Sequence, residues 1–272
     1  DRQVLPPPPG LSEEELLLLR PAEDRGPLSA LFDAAGDVLG AALRPPGADA
    51  GEPARADHPF RRPLAELGRA LGAGDAWELY PGPAGRLAVE PGDPPAVRCG
   101  PDLPRRTTAR EQRFLLGRAA ARLRTRSGLA ESASDALLAD AVAAAVRQVV
   151  PGWPVGGAPP EELVRRVGKL TGRRVRKALD PAARAVAAAG PPALDAWRAA
   201  ATLTADRAGL ALCGDVPTAV ALVVRGGPGS TPADGAELLA AVWESPRALA
   251  LLAFAASEAH FVLRQKLRVA IA

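Results

Sequence analysis

T-T-A-R-E-Q-R-F-L-L-G-R-A-A-A-R-L-R-T-R, residues 107–126, is the stretch whose reading decides the fold. The Thr108 hydroxyl can accept from the free amides of a first helical turn, and Glu111, three residues on, can reach back to the Thr108 amide. This capping box fixes where the helix begins. From there Leu115, Leu116, Ala119, Ala120 and Leu123 recur at steps of three and four, which predicts an apolar face of small residues suited to close packing. Phe114, Arg118 and Arg122 stack one turn apart on the other face. The i, i+4 spacing of the two arginines sets them side by side, so the expectation is a helix with one buried and one charged flank.

The order E-Q-R-F-L-L-G-R-A-A-A-R-L (111–123) resembles the active-site helix of HtpX-like and CAAX-prenyl-protease-type zinc metallopeptidases, which reads E-L-x-F-V-L-G-H-E-x-x-H. Downstream, W-R-A-A-A-T-L-T-A-D-R-A-G-L-A-L-C-G-D (197–215) resembles the helix that in this family reads E-x-x-A-D-R-x-G and supplies the third zinc ligand. Upstream, D-P-P-A-V-R-C-G-P-D-L (93–103) resembles the strand and turn that lead into the metal helix. The resemblance covers residues 58–225 in order and spacing, and implies a zincin-like helical core with a small β-sheet.

The chain departs from that pattern at all four chemically required positions. Arg118 and Arg122 stand at the two histidine positions, Ala119 at the glutamate that activates water and Thr202 at the third ligand, whereas Ala205, Asp206, Arg207 and Gly209 are kept. Zinc binds through neutral imidazole or carboxylate, and a guanidinium has no lone pair to offer. The resemblance therefore implies an inactive peptidase homologue with no catalytic residues, metal or cofactor. In the family the aspartate of the Ala-Asp motif orients a ligand histidine. With no histidine left, Asp206 is expected to pair with Arg118 or Arg122 through two parallel hydrogen bonds, tying the two central helices together.

Working outward from these helices, residues 1–10 contain P-P-P-P-G and read as a linker from something upstream. Ser12 and Glu15 form a second capping box, and Pro27–Leu43 carries a helical apolar stripe. Such a helix pair is common in repeat arrays, but no period follows it. Residues 44–57 read as a polar linker, 58–71 as a helix, 77–80 and 86–90 as strands around the turn P-G-P-A-G, and 96–99 as a third strand. Helices are expected over 134–150, 159–179, 192–212, 217–224, 232–243 and 245–269. The glycine-rich G-G-P-G-S-T at 226–231 lacks a following Gly-Lys and a preceding strand, which makes it a loop rather than a phosphate cradle. The expected class is α+β and predominantly helical, divided into N-terminal helices and linker (1–57), a metallopeptidase-like core (58–225) and C-terminal helices packed on it (226–272).

Composition narrows the function classes. The alanine-, leucine-, proline- and arginine-rich bias has the look of a bacterial-type high-GC coding sequence, so alanine runs carry little weight. Across 272 residues, 34 basic and 31 acidic side chains give a net charge of +3, a mixed surface rather than a polycation, which counts against nucleic acid as the main partner. No apolar run reaches the roughly 18 residues that span a bilayer, and no signal-peptide pattern opens the chain. A soluble, cytoplasmic protein is the expectation, with an upstream signal or further domains left open because the chain has no methionine. Two cysteines, Cys99 and Cys213, make neither a disulfide framework nor a metal site, and His58 and His260 lie far apart. His260 reads as a packed or surface histidine.

No G-x-S-x-G, Cys-His pair or framed pair of carboxylates suggests another active site. The leading reading is thus a non-catalytic scaffold that binds a protein partner. The alternative is nucleic-acid or anionic-partner binding through the basic helix 161–178, using Arg165, Arg166, Lys169, Arg173, Arg174, Arg176 and Lys177. There, Thr171-Gly172 is expected to break the helix and spread its charges around solvent.

Overall fold

A computed structural model describes residues 8–45, 51–153, 159–227 and 235–268. The chain enters α1 (Glu13–Leu19) through the expected capping box: the Glu15 amide donates to the Ser12 hydroxyl, and the Ser12 amide to the Glu15 carboxylate. A 3-10 turn (Ala22–Arg25) leads into α2 (Pro27–Leu43), whose first helical position holds Pro27, where a missing N–H is harmless. Next, α3 (Arg61–Ala70) starts three residues later than expected. The Phe60 amide donates to the His58 ring at 3.2 Å, closing a turn ahead of the helix, and Pro59 disfavours helical geometry at His58.

Three short strands follow, β1 (Glu78–Pro81), β2 (Leu87–Glu90) and β3 (Ala96–Cys99). Although β1 and β2 flank the P-G-P-A-G turn, they do not pair with each other. The order is β1-β3-β2, with β3 parallel to β1 and antiparallel to β2. Pro81 and Pro83 have no N–H with which to start a hairpin ladder, so β3 supplies partners to both sides. Gly82 donates to the Cys99 carbonyl and Gly100 to that of Arg86, each at 2.8 Å. Leu79, Val97 and Val89 lie directly opposite one another across the three strands, all buried.

The remaining elements are helical: α4 (Leu103–Arg106), α5 (Ala109–Thr125), α6 (Leu129–Ser132), α7 (Asp135–Arg147), α8 (Glu161–Leu170), α9 (Arg173–Ala189), α10 (Leu194–Cys213), α11 (Val216–Arg225), α12 (Gly235–Trp243), α13 (Pro246–Ala255) and α14 (Glu258–Lys266). The result is a mostly helical α+β fold. α5 starts at Thr108 with both halves of its capping box made, at 2.7 and 3.3 Å. The break at Thr171-Gly172 separates α8 from α9, as expected. α9 then runs ten residues past the expected end at Leu179, through Pro181. Pro181 is exposed, so the carbonyl it leaves without a helical partner can be solvated. The expected single helix over 245–269 is two, because Ser257 caps α14 by accepting from the His260 amide. Gly226 and Gly227 follow α11, and the rest of the 226–231 loop lies outside the described residues, as do residues 1–7 of the N-terminal linker and 46–50 of the second.

Two hydrophobic cores result. The sheet-side core joins α3, the strands, α5, α11, α13 and α14. The second core joins α2, α6, α7, α8 and α9. α10 serves both: Trp197 and Ala201 belong to the second core, Trp197 stacking on Phe32 at 4.0 Å, while Ala205, Ala208 and Leu210–Leu212 belong to the first. Each core draws on residues from both sides of position 57, and α13 and α14 beyond 225 share the sheet-side core with α5.

α5 and α10 cross at two glycines. A Cβ at Gly117 would stand 3.0 Å from the Gly209 Cα, and one at Gly209 would stand 2.7 Å from the Phe114 carbonyl oxygen. Among the described residues no single helix is long and apolar enough to cross a membrane. The pair α12–α13 passes on length and composition only when taken together, and it bends by 96°.

Candidate functional site: a buried charge cluster between the central helices

The glycine crossing brings the middle of α5 against the middle of α10, and charged side chains converge there. Asp206 is fully buried. Arg247, at the start of α13, grips it with both arms of its guanidinium, Nε to Oδ2 at 2.6 Å and Nη2 to Oδ1 at 2.8 Å. Arg118 Nε also lies 2.8 Å from Asp206 Oδ1, close enough for an ion pair but not aligned as a hydrogen bond, since that nitrogen has no hydrogen-bond partner. Arg118 turns its Nη2 to Glu131 of α6 at 3.3 Å.

Arg122, one turn along α5, is only 2 % exposed and places Nε 3.2 Å from Glu131, with Nη1 donating to the Ser127 carbonyl at 3.4 Å. Its Nη2 has no partner. Burial pulls the Arg122 pKa down to about 10, against the pull of the Glu131 charge, so it stays a cation at neutral pH. Burial also works against Arg247, but its hydrogen bonds and Coulomb attraction to Asp206 outweigh that and hold its pKa above the usual value. Three guanidiniums and two carboxylates thus share one site with a net charge of +1.

Half a turn toward the start of α10, Thr204 donates to Asp24 at 2.5 Å, and Ser29 donates to the other oxygen of the same carboxylate at 2.6 Å; all three are buried. Together with the arginine cluster this makes a polar layer across α10, at the level where it passes from one core to the other.

The expected charged flank of α5 is therefore not a solvent face. Phe114 and Arg122 are as buried as Leu116, because α10 packs along α5 and Glu131 of α6 reaches in to the arginines. Asp206 meets Arg118, one of its two expected partners, as an ion pair only; the two parallel hydrogen bonds expected of that partner come from Arg247 instead, and Arg122 takes Glu131. Ala119 is buried in the sheet-side core. Thr202 is half-buried and its side chain makes none of these contacts. Glu131 and Arg247 have no signal in the peptidase-like motifs. Charge balance hints at Glu131, which is the only carboxylate between Glu111 and Asp135 and so the nearest in sequence to a buried arginine on α5.

Other candidate groups lie elsewhere. His260 is packed beside Phe254 with Nδ1 2.9 Å from the Ala255 carbonyl oxygen, and burial lowers its pKa. Burial raises the Cys99 and Cys213 thiols to about 12 and about 11, so neither is a thiolate at neutral pH. Among the described residues no three His, Cys, Asp or Glu side chains come together in a metal-holding group. In the basic segment Arg165, Lys169, Arg173, Arg174, Arg176 and Lys177 are exposed, whereas Arg166 folds back to the Ala41 and Arg44 carbonyls at the end of α2. Comparison with family models, with curated proteins and with solved structures finds no match to this chain.

Proposed function

We propose that the chain is a non-catalytic protein-interaction or scaffold domain on a degenerate zinc-metallopeptidase frame. The observation that carries this reading is the use of the side chains at positions 118, 122 and 206, where the resembled peptidases hold and orient their metal. All three are spent on one another and on Glu131 and Arg247. Asp206 is fully buried with both oxygens held by Arg247, out of reach of a substrate that would need a general base. The cluster works as a clamp between helices and leaves binding to the surface. There the C-terminal helices expose Leu239, Trp243 and Phe261, with Trp243 at 73 %, the residue type most often found as an anchor in protein contacts.

Metal analysis of the purified chain should give far less than one zinc per molecule, and unfolded protein substrates should stay intact on incubation with it. A photo-crosslinking residue placed at position 243 should capture a protein of defined mass that the same residue at exposed Arg105 does not. One tightly held zinc per chain, lost on Arg118→Ala or Arg122→Ala, or peptide-bond hydrolysis abolished by Asp206→Asn, would overturn the reading.

A further inference from the structure

The five cations Lys169, Arg173, Arg174, Arg176 and Lys177 crowd into nine residues around the α8–α9 elbow. All are exposed, and no side chain among them forms an ion pair or hydrogen bond with a described residue. That is unusual for this chain, which pairs most of its arginines. The neighbours show the contrast: Arg165 is paired with Glu162, and Arg184 with Asp180. No acid lies in the first turn of α9 to offset the cluster.

The geometry of α9 says what shape of partner would meet these charges. Val175, Leu179, Ala182, Ala183 and Val186 point into the second core or pack on it. At 100° per residue the outward direction falls on Lys177, with Arg173 and Arg174 to either side and Arg176 beyond Arg173, so the four cations fan over about 160° of the helix circumference. The break at Thr171-Gly172 does not disperse them. A flat surface meets only the centre of such a fan; a concave one with anionic walls meets all of it.

From this fan we infer that the α8–α9 elbow binds the phosphate backbone of duplex nucleic acid, with the start of α9 seated in a groove between the two strands and no reading of sequence. Single strands fit less well, because no aromatic residue occurs between Trp153 and Trp197 on which a base could stack. An anionic membrane also fits less well. The apolar face of α9 is already buried in the core, leaving exposed Leu170 of α8 as the one large apolar side chain at the elbow.

The test is fluorescence anisotropy of a labelled mixed-sequence 20-base-pair duplex with the whole chain, from 50 to 200 mM salt. Neutralising four or five phosphates predicts a slope of log affinity against log salt of about −3.6 to −4.5. The triple variant Arg173→Glu/Arg174→Glu/Lys177→Glu should weaken binding at least tenfold at 50 mM salt and flatten the slope. The milder Arg173→Gln/Lys177→Gln serves if the triple variant does not fold, with an expected slope change of about 2. Arg69→Glu/Arg105→Glu, exposed cations elsewhere, should change neither. The inference is overturned by no duplex binding at 50 mM salt, by binding that survives charge reversal at the elbow, by tighter binding to the matching single strand, or by binding to vesicles of phosphatidylcholine and phosphatidylserine in place of the duplex.

Discussion

Asp206 shows how a single residue's role depends on who shares its burial. A carboxylate with no exposed surface is tolerable only when its lone pairs are taken, and here Arg247 takes two while Arg118 supplies a second charge. Asp206→Asn should destabilise the fold by about 3–5 kcal/mol, because it leaves Arg118, Arg122 and Arg247 with the one carboxylate of Glu131 between them. A double-mutant cycle measured by denaturant unfolding apportions the pairs. Asp206→Asn with Arg247→Met should show a coupling of about 1–3 kcal/mol, Asp206→Asn with Arg118→Met a smaller one. Additive effects in both cycles would mean that the clamp contributes nothing. A half-buried carboxylate, Asp37, behaves differently. Burial raises the Asp37 pKa from its ordinary value to about 6 against the pull of Arg126, with Asp93 adding repulsion. A raised carboxyl pKa means that the folded state holds its proton longer than the unfolded chain. The associated stability is therefore present below about pH 4 and lost as pH rises through 6, to the extent of about 3 kcal/mol. Unfolding midpoints measured from pH 4 to 7 should fall across that window in the parent and be flatter in Asp37→Asn.

Between elements, the α5–α10 crossing decides what can meet. Gly117 against Gly209 lets the helix backbones approach closely enough for Arg118 to reach Asp206, so the ion pair depends on two residues with no side chain at all. Gly209→Ala would drive a methyl group into the Phe114 carbonyl and should cost about 1–3 kcal/mol. If the helices separate to make room, the Asp206 coupling should weaken in the same variant; an unchanged stability would show that the crossing is loose. Elements of this kind were readable in the sequence where a local signal fixes them. Ser12 with Glu15 and Thr108 with Glu111 mark helix starts that the structure places at the same residues. What was not readable depends on distant partners. The β1-β3-β2 order needs β3 to intervene between neighbours in sequence, and the burial of Arg122 needs α10 to pack along α5 and Glu131 to reach a flank that reads as charged. Arg247 lies 41 residues from Asp206, and no spacing rule joins them.

At the scale of the whole molecule, the two cores are joined rather than merely adjacent. α10 contributes to both, and the polar layer at Thr204 and Asp206 crosses it where they meet. Damage on one side should therefore be felt on the other. Leu138→Ala, a cavity in the second core, should cost about 2–5 kcal/mol and lower the hydrogen-exchange protection of the Val97 amide in the sheet by the same amount. Protection at Val97 that stays at its parent value would mean that the cores open independently.

The position of α10 along the chain also bears on synthesis. Ribosomes deliver residues in order, at about 5–20 per second, so α5, finished at Thr125, waits about 4–18 s for α10 to be completed at Cys213. During that interval the sheet side lacks its middle helix and the other side lacks Trp197. Apolar faces on α2, α5 and α7 stand open to whatever is near the nascent chain. A ribosome-bound fragment ending at 190 should accordingly recruit holding chaperones, and one extended far enough to release residue 213 should shed them.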